Sequence, residues 1–303
     1  MIYIQKFKKD LKKNRIIYFM AIPMLLYYII FHYIPMYGAI IAFKDYSPTA
    51  GIMGSPWVGL KNFSAFFSSV YFSRLIRNTL VINLKLLIFG FPLPICLAIL
   101  LNEVRSNYFR RIVQTITYLP HFISTMVLCG MIVDFVARDG LITQIVEFFG
   151  GSNSNLLLHA ENFQTIYVAS DIWQTLGWNS IIFFAAITGI DQALYEAAEL
   201  DGANRFQKIL YVTLPGIRQT IVILLILRIG QMMSVGYEKI ILLYNANTYE
   251  TADVISTYVY RKGLLDFDYS YSTAVGLFNS VINFFLLVLA NNFSKKLGDT
   301  SLW

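Results

Sequence analysis

The residues EAAELDGANRFQKILYVTLP (196–215) lie between two of the most apolar segments of a 303-residue chain in which 56% of residues are hydrophobic and 14% charged. So long a polar stretch exceeds what a surface connection needs, and its pattern is helical. Asp191 is placed to cap a helix start. Tyr195, Ala198, Gly202, Phe206 and Ile209 then follow at spacings of 3, 4, 4 and 3, which puts all five on one helical face. Glu196, Glu199 and Asp201 come early and Arg205 and Lys208 late, the order that a helix dipole favours. Ala197, Ala198, Gly202 and Ala203 leave room for another surface to approach the backbone closely. Pro215 closes the segment before the next apolar run. Two readings follow: a solvated amphipathic connector, or a short helix built to be held by a partner.

The surroundings place this stretch at a membrane. Mean hydropathy is +0.56, and the charged fraction falls well below the quarter or so of an ordinary soluble domain. Six apolar runs approach or exceed the roughly 20 residues that cross a bilayer: about 16–43, 78–101, 112–136, 164–190, 216–243 and 272–292. Hydrocarbon requires each to satisfy its own backbone, so the chain reads as all-α, a polytopic protein of six transmembrane helices in one domain, 1–303. The basic segment 1–15 resembles the start of a signal peptide, but the apolar run after it is too long for one and no small-residue cleavage site follows, so it reads as an anchor. With the N-terminus inside, the inner segments carry fourteen Lys and Arg and the outer segments seven. Both termini are therefore expected to be cytoplasmic, and so is the 191–215 loop. The net charge of +6 is accounted for by this asymmetry, so no nucleic-acid partner is implied.

Several chemistries find no footing. Cys96 and Cys129 fall in separate spans near opposite faces of the bilayer, so a disulfide is not expected, and both read as small buried hydrophobes. His32, His121 and His159 sit on three separate elements without metal-ligand spacing, so no metal site is expected. No nucleophile and base cluster together, so no catalytic residues are expected and the chain is not read as an enzyme. No phosphate-binding G-x-x-x-x-G-K-[ST] loop occurs, the nearest approach being the residues from Gly54 to Lys61. If transport is driven by ATP, another chain hydrolyses it. Between the spans, the loop from Lys44 to Arg77 turns at several Gly and Pro before an amphipathic stretch near Asn62. A second loop is Asn-rich around GGSNSN, and a third, from Tyr244 to Tyr271, alternates Tyr with acidic residues.

The 196–215 stretch resembles the EAA motif of permease subunits in binding-protein-dependent ABC importers, where Glu-Ala-Ala, Asp-Gly-Ala, a Phe and a closing Leu-Pro recur at this spacing. The likeness extends along nearly the whole chain. It includes YIPMYGAIIAFKDYSP, GSPWVGLKNF, WQTLGWNSIIFF, SVGYEKIILLYN, YETADVISTYVYRKGL, YSTAVGLFNSVINF and the terminal SLW. These resemble the LplB-like polysaccharide-importer permeases, related to the maltose-type sugar importers. The resemblance implies a type I importer fold of six helices in a bacterial plasma membrane, with a coupling helix between the fourth and fifth spans. It also implies a second homologous permease and two cytoplasmic ATPase subunits, which hold the ATP and Mg while this chain binds no cofactor. An extracellular solute-binding lipoprotein would deliver an oligosaccharide cut from a complex glycan. Carried over residue by residue, Glu196, Ala197, Ala198, Asp201, Gly202, Ala203, Phe206, Leu214 and Pro215 would form the contact with one ATPase.

Polar groups inside spans are costly and mark pathways. The resemblance to sugar importers places substrate contacts on the fourth and fifth spans, around Gly177 to Asn179 and Ser234 to Glu238. The candidates are Trp173, Gly177, Trp178, Asn179, Gln231, Ser234, Tyr237, Glu238 and, on the sixth span, Asn279. Aromatic faces beside amides and carboxylates suit a sugar, whereas Trp and Tyr also furnish interfacial belts. Arg228 is expected to pair with a carboxylate or with the second permease. Adjacent Glu238 and Lys239 point about 100° apart on a helix and are poorly placed for each other. A channel or scaffold without ATP coupling is the alternative, and it leaves the EAA stretch unexplained.

Overall fold

The computed structural model describes Asp10, residues 13–296 and residues 301–302, so most of the basic segment 1–15, and Trp303 of the SLW end, lie outside the described residues. Among those described, the fold is all helix, and the one β feature is an isolated bridge between Lys44 and Trp57. The main elements are α1 (Arg15–Phe43), α2 (Lys61–Phe67), α3 (Phe72–Glu103), α4 (Asn107–Phe122), α5 (Thr125–Phe135), α6 (Leu141–Phe148), α7 (Ala160–Thr188), α8 (Gln192–Leu200), α9 (Arg205–Gly216), α10 (Arg218–Ile229), α11 (Tyr237–Leu243), α12 (255–265) and α13 (Tyr269–Lys296).

Helices α1, α3 and α13 are long and apolar enough to cross a membrane unbroken, and they cover the expected first, second and sixth spans. In α1, no residue of Arg15–Tyr28 is buried within the chain, so that apolar helix faces outward all round. Prolines in α1, α3 and α9 do not end their helices, for a local reason. The residues Ile29–Tyr33, Leu86–Gly90 and Ile209–Thr213 form wide π-turns, and each is followed two residues later by Pro35, Pro92 or Pro215. A proline lacks an N–H and its ring crowds the carbonyl four residues back; the wider turn makes space for that carbonyl and lets the helix continue.

The third and fifth spans are not the continuous helices expected. The third is α4 followed by α5 at 103°. Pro120 tightens the end of α4 into a 3-10 turn, Ile123 is extended, and the Ser124 hydroxyl accepts from the Val127 N–H at 3.4 Å to start α5 afresh. The fifth stops at Ile229 and resumes at Tyr237. The backbone between is held by side chains from other elements. Asn283 Oδ1 accepts from the Met233 N–H at 2.9 Å, Asn83 Nδ2 donates to the Ser234 carbonyl at 3.2 Å, and the Ser256 hydroxyl donates to the Val235 carbonyl at 2.6 Å. Unwound backbone at membrane depth persists where protein satisfies it in this way.

Three apolar clusters hold the bundle. The largest joins α3, α5, α7 and α11 through residues such as Ile82, Leu128, Phe163 and Ile240. A second packs Phe66 of α2 and Leu75 of α3 against Ile255 and Tyr258 of α12 and Val275 of α13. A third, with Ala98, Phe183, Ile187 and Ile217, sits where α7 ends and α10 begins. The third loop is thus not a simple connector: Ala252, Val254 and Ile255 are buried within it. Cys129 is buried, as expected, but Cys96 is exposed on α3, and both are free thiols.

Candidate functional site

The expected single helical stripe is a helix–turn–helix. Helix α8 starts where the Asp191 carboxylate accepts from the Ala193 N–H at 3.0 Å and stops at Leu200. Its end is closed by two backbone bonds, Ala203 N–H to the Ala198 carbonyl at 2.9 Å and Gly202 N–H to the Glu199 carbonyl at 3.1 Å. This closure needs a left-handed residue, and Gly202 supplies it at φ +78°. The next helix begins in a capping box: Asn204 Oδ1 accepts from the Gln207 N–H at 2.9 Å, and Gln207 Oε1 accepts from the Asn204 N–H at 2.8 Å. Pro215 does not close the segment; α9 runs through it to Gly216, then bends 61° into α10. A Cβ on Gly216 would lie 2.6 Å from Ile190 Cδ1, so the bend is packed tightly on the end of the fourth span.

The five residues expected on one face separate accordingly. Tyr195, Ala198 and Ile209 are half-buried towards the hairpin's interior, and the Tyr195 hydroxyl lies 2.9 Å from Thr213 Oγ1. Gly202 and Phe206 face outward with Glu196, Ala197 and Asp201; Ala203 and Leu214 are half-buried, and Pro215 is exposed. Glu199 and Lys208 pair across the hairpin at 3.5 Å. Near its turn stand two unpartnered apolar side chains, Leu200 at 90% and Phe206 at 73% exposed. A closed and capped hairpin that displays large apolar groups beside carboxylates is suited to seat in another protein.

The pathway candidates do not converge on one place. Asn179 and Gln231 meet in a cleft of about 210 Å³, together with Arg228 and with Gly90 and Phe91 of α3. Arg228 donates to Asn83 Oδ1 at 3.3 Å, and among the described residues it pairs with no carboxylate; of the two expected partners, that leaves the second permease. The Ser234 hydroxyl accepts from Asn283 Nδ2 at 2.8 Å, within the broken span. Trp178 stacks on His121 with ring centroids 4.4 Å apart and Trp173 is part-exposed on the same helix. Tyr237 stacks on Tyr260 at 5.4 Å, with Glu238 exposed beside it. Gly177 belongs to packing: its Cβ would come within 2.1 Å of the Thr117 carbonyl oxygen, so α4 crosses α7 at backbone contact there. Asn279 carries a buried Oδ1 with no hydrogen-bond partner among the described residues.

One pair was missed. Lys239 is buried and lies 3.6 Å from Asp171, with its ammonium over the Tyr167 ring at 5.1 Å. The two were visible in separate spans, but nothing local in the sequence joins them.

Residues 90–299 match the family described as the inner membrane component of binding-protein-dependent transport systems. The chain belongs to that family. It is 45% identical over 306 residues to the polygalacturonan/rhamnogalacturonan transport system permease protein YteP of Bacillus subtilis, covering 98% of this chain and 95% of that protein. It is also 45% identical over 294 residues to Protein LplB of the same organism, covering 97% of this chain and 92% of LplB. Among solved structures, a chain of a bacterial ABC transporter that imports the acidic polysaccharide alginate superposes with a TM-score of 0.87 at 43% identity, covering 96% of this chain and 99% of that one. A second alginate transporter structure, in complex with an alginate pentasaccharide-bound periplasmic protein, gives 0.88 at the same identity. The fold is therefore that of a type I ABC importer permease, and this family member is a membrane-embedded permease rather than an enzyme.

Proposed function

We propose that the chain is one of two homologous permeases in an ATP-driven importer, and that it passes an oligosaccharide cut from a complex glycan and delivered by an extracellular solute-binding protein. The observation that carries the reading is the α8–α9 hairpin: closed at Gly202, capped at Asn204 and displaying Leu200 and Phe206 on its outer surface. One ATPase subunit seats this hairpin, with Glu196, Ala197 and Asp201 on the contacting surface. ATP and Mg are held between the two ATPases, not on this chain. Closure of the ATPases moves the hairpin, and the tight packing of Gly216 on Ile190 transmits that movement to the fourth and fifth spans. The charge asymmetry supports cytoplasmic placement of the hairpin and of both termini, in a bacterial plasma membrane.

The sugar path runs past Trp173, Trp178 and Asn179 on α7, and past Gln231, Ser234, Tyr237 and Glu238 at the broken fifth span, with Asn279 facing it from α13. A pore or scaffold has no use for a rigid hairpin of this kind. The test is uptake and ATP hydrolysis by the reconstituted importer. Trp178→Ala and Glu238→Ala are expected to weaken oligosaccharide uptake while basal ATP hydrolysis persists. Unchanged uptake kinetics in both would return these residues to packing, and uptake independent of ATP would favour the pore.

A further inference from the structure

At the end of the bundle opposite the hairpin, the first turn of α3 and the 249–266 segment frame an open cleft of about 350 Å³ lined by Tyr71, Arg74, Tyr249, Asp253, Tyr258 and Arg261. Its size falls in the range of small-molecule sites. Asp253 is fully buried. Its Oδ2 accepts from Arg261 Nη2 at 2.7 Å and from Arg74 Nη2 at 3.4 Å, and its Oδ1 accepts from the Thr257 hydroxyl at 2.8 Å. The remaining charges of the lining, Lys262 and Asp266, pair with each other at 2.7 Å, and that carboxylate holds the Lys262 ammonium above its usual range. Within the lining, three cations thus face two carboxylates, with Asp268 acting on Lys262 from outside it.

Fastening α12 to α3 through Asp253 needs one arginine; the second adds a positive charge that no group of the lining neutralises. Arg74 Nε and Arg261 Nη1 are buried and have no hydrogen-bond partner among the described residues. Unspent charge and unspent donors in a partly desolvated place are costly unless an anion arrives. The Arg261 guanidinium is held 5.6 Å from the centroids of both Tyr249 and Tyr258, and Arg74 lies 5.1 Å from that of Tyr71. Guanidinium groups bind carboxylates through paired N–H donors, and tyrosine offers a sugar both an apolar face and a hydroxyl.

We propose that this cleft binds a carboxylate-bearing sugar residue, holding acidic oligosaccharide at the end of the permease where cargo arrives. The inference rests on the reading of the chain as an oligosaccharide permease and names the chemical class of its cargo.

The test uses the assembled importer in lipid nanodiscs, without its binding protein, titrated with trigalacturonate and with the fully methyl-esterified trisaccharide. Saturable binding of the acid is expected, weakened about tenfold or more by Arg261→Gln and by Arg74→Gln, in line with loss of a charge-assisted hydrogen bond. The ester should bind weakly and equally to all three proteins. Arg74→Gln, which gives up the longer bond to Asp253, keeps the test open if Arg261→Gln fails to assemble. Equal affinity for acid and ester, variants that bind the acid as wild type does, or no saturable binding at millimolar acid would each overturn the proposal. Variants that bind trigalacturonate normally but lose affinity for the binding protein would assign the carboxylate to that protein and overturn the sugar assignment. Stimulation of the wild-type ATPase by the binding protein is measured in parallel. If it is absent, the permease reading itself fails; if it is present without trigalacturonate binding, only the cleft assignment fails.

Discussion

Replacing Gly202 separates two reasons for a glycine in the hairpin. Small size for a docking partner was the natural reading of Ala197, Ala198, Gly202 and Ala203 as a group, but the structure supplies a different one. Gly202 has φ +78°, and a Cβ built on it meets nothing within 4 Å. The cost of a side chain within the hairpin is therefore conformational. For an ordinary L-residue in the left-handed region it is about 1–2 kcal/mol, and a β-branched residue fits there worst. Taking about 2 kcal/mol for Gly202→Val, the closed turn loses roughly 30-fold in population relative to open forms. Asparagine tolerates the left-handed region and serves as a helix end, so Gly202→Asn should lose only a few-fold. The assay is sugar-stimulated ATP hydrolysis by the reconstituted importer, at matched permease incorporation. Stimulation should collapse in Gly202→Val and largely persist in Gly202→Asn. Equal damage from both would show that size rather than backbone geometry matters at this position, and no damage from valine would refute the role of the closed turn.

Other positions give separate tests. Gly177→Ala forces a Cβ to within 2.1 Å of the Thr117 carbonyl oxygen, so about 1–3 kcal/mol of overpacking is expected, read as a fall in Tm of the detergent-solubilised protein. Gly276→Ala, where nothing lies within 4 Å, should leave Tm nearly unchanged. Asn283→Leu removes both bonds that hold Met233 and Ser234 in the broken span and strands the Met233 N–H. A loss of about 2–4 kcal/mol is expected, together with impaired uptake; a stable, fully active variant would show that the break needs no such support. Lys239→Met leaves Asp171 without its ion-pair partner. The roughly 3–5 kcal/mol of a fully buried pair is reduced here because the Asp171 side chain is 29% exposed. The double variant with Asp171→Asn should recover part of the lost Tm, and a double variant less stable than the single would contradict the pairing.

Unbroken apolar length made α1, α3 and α13 legible from sequence. The third span misled because its hydropathy is continuous across Pro120 and Ser124, two start-and-stop signals that composition conceals. The fifth misled for the opposite reason: Gly230, Ser234 and Gly236 mark the break, but the bonds that hold it come from Asn83, Ser256 and Asn283, far away in the chain. In the hairpin, the EAA spacing picked out residues that lie together on one helix–turn–helix, while the helical stripe drawn through them ignored that Asp-Gly-Ala-Asn reads as a helix end followed by a cap. Gly177, grouped with its tryptophan neighbour as pathway, faces the backbone of α4, which residue type alone could not reveal. The Arg74–Asp253–Arg261 cluster joins the start of α3 to the 249–266 segment, about 180 residues away in sequence, and left no local trace.

The most direct test of the coupling role is recovery of partners from detergent-solubilised native membranes by pull-down on this chain, wild type against Phe206→Asp, followed by mass spectrometry. The substitution places a charge on a side chain that is 73% exposed, so the permease should remain folded. Wild type is expected to bring down a second permease and an ATPase, and Phe206→Asp to retain the permease and lose the ATPase. Equal recovery of the ATPase by both proteins, or a wild type that comes down with neither partner, would contradict the hairpin as the site of coupling.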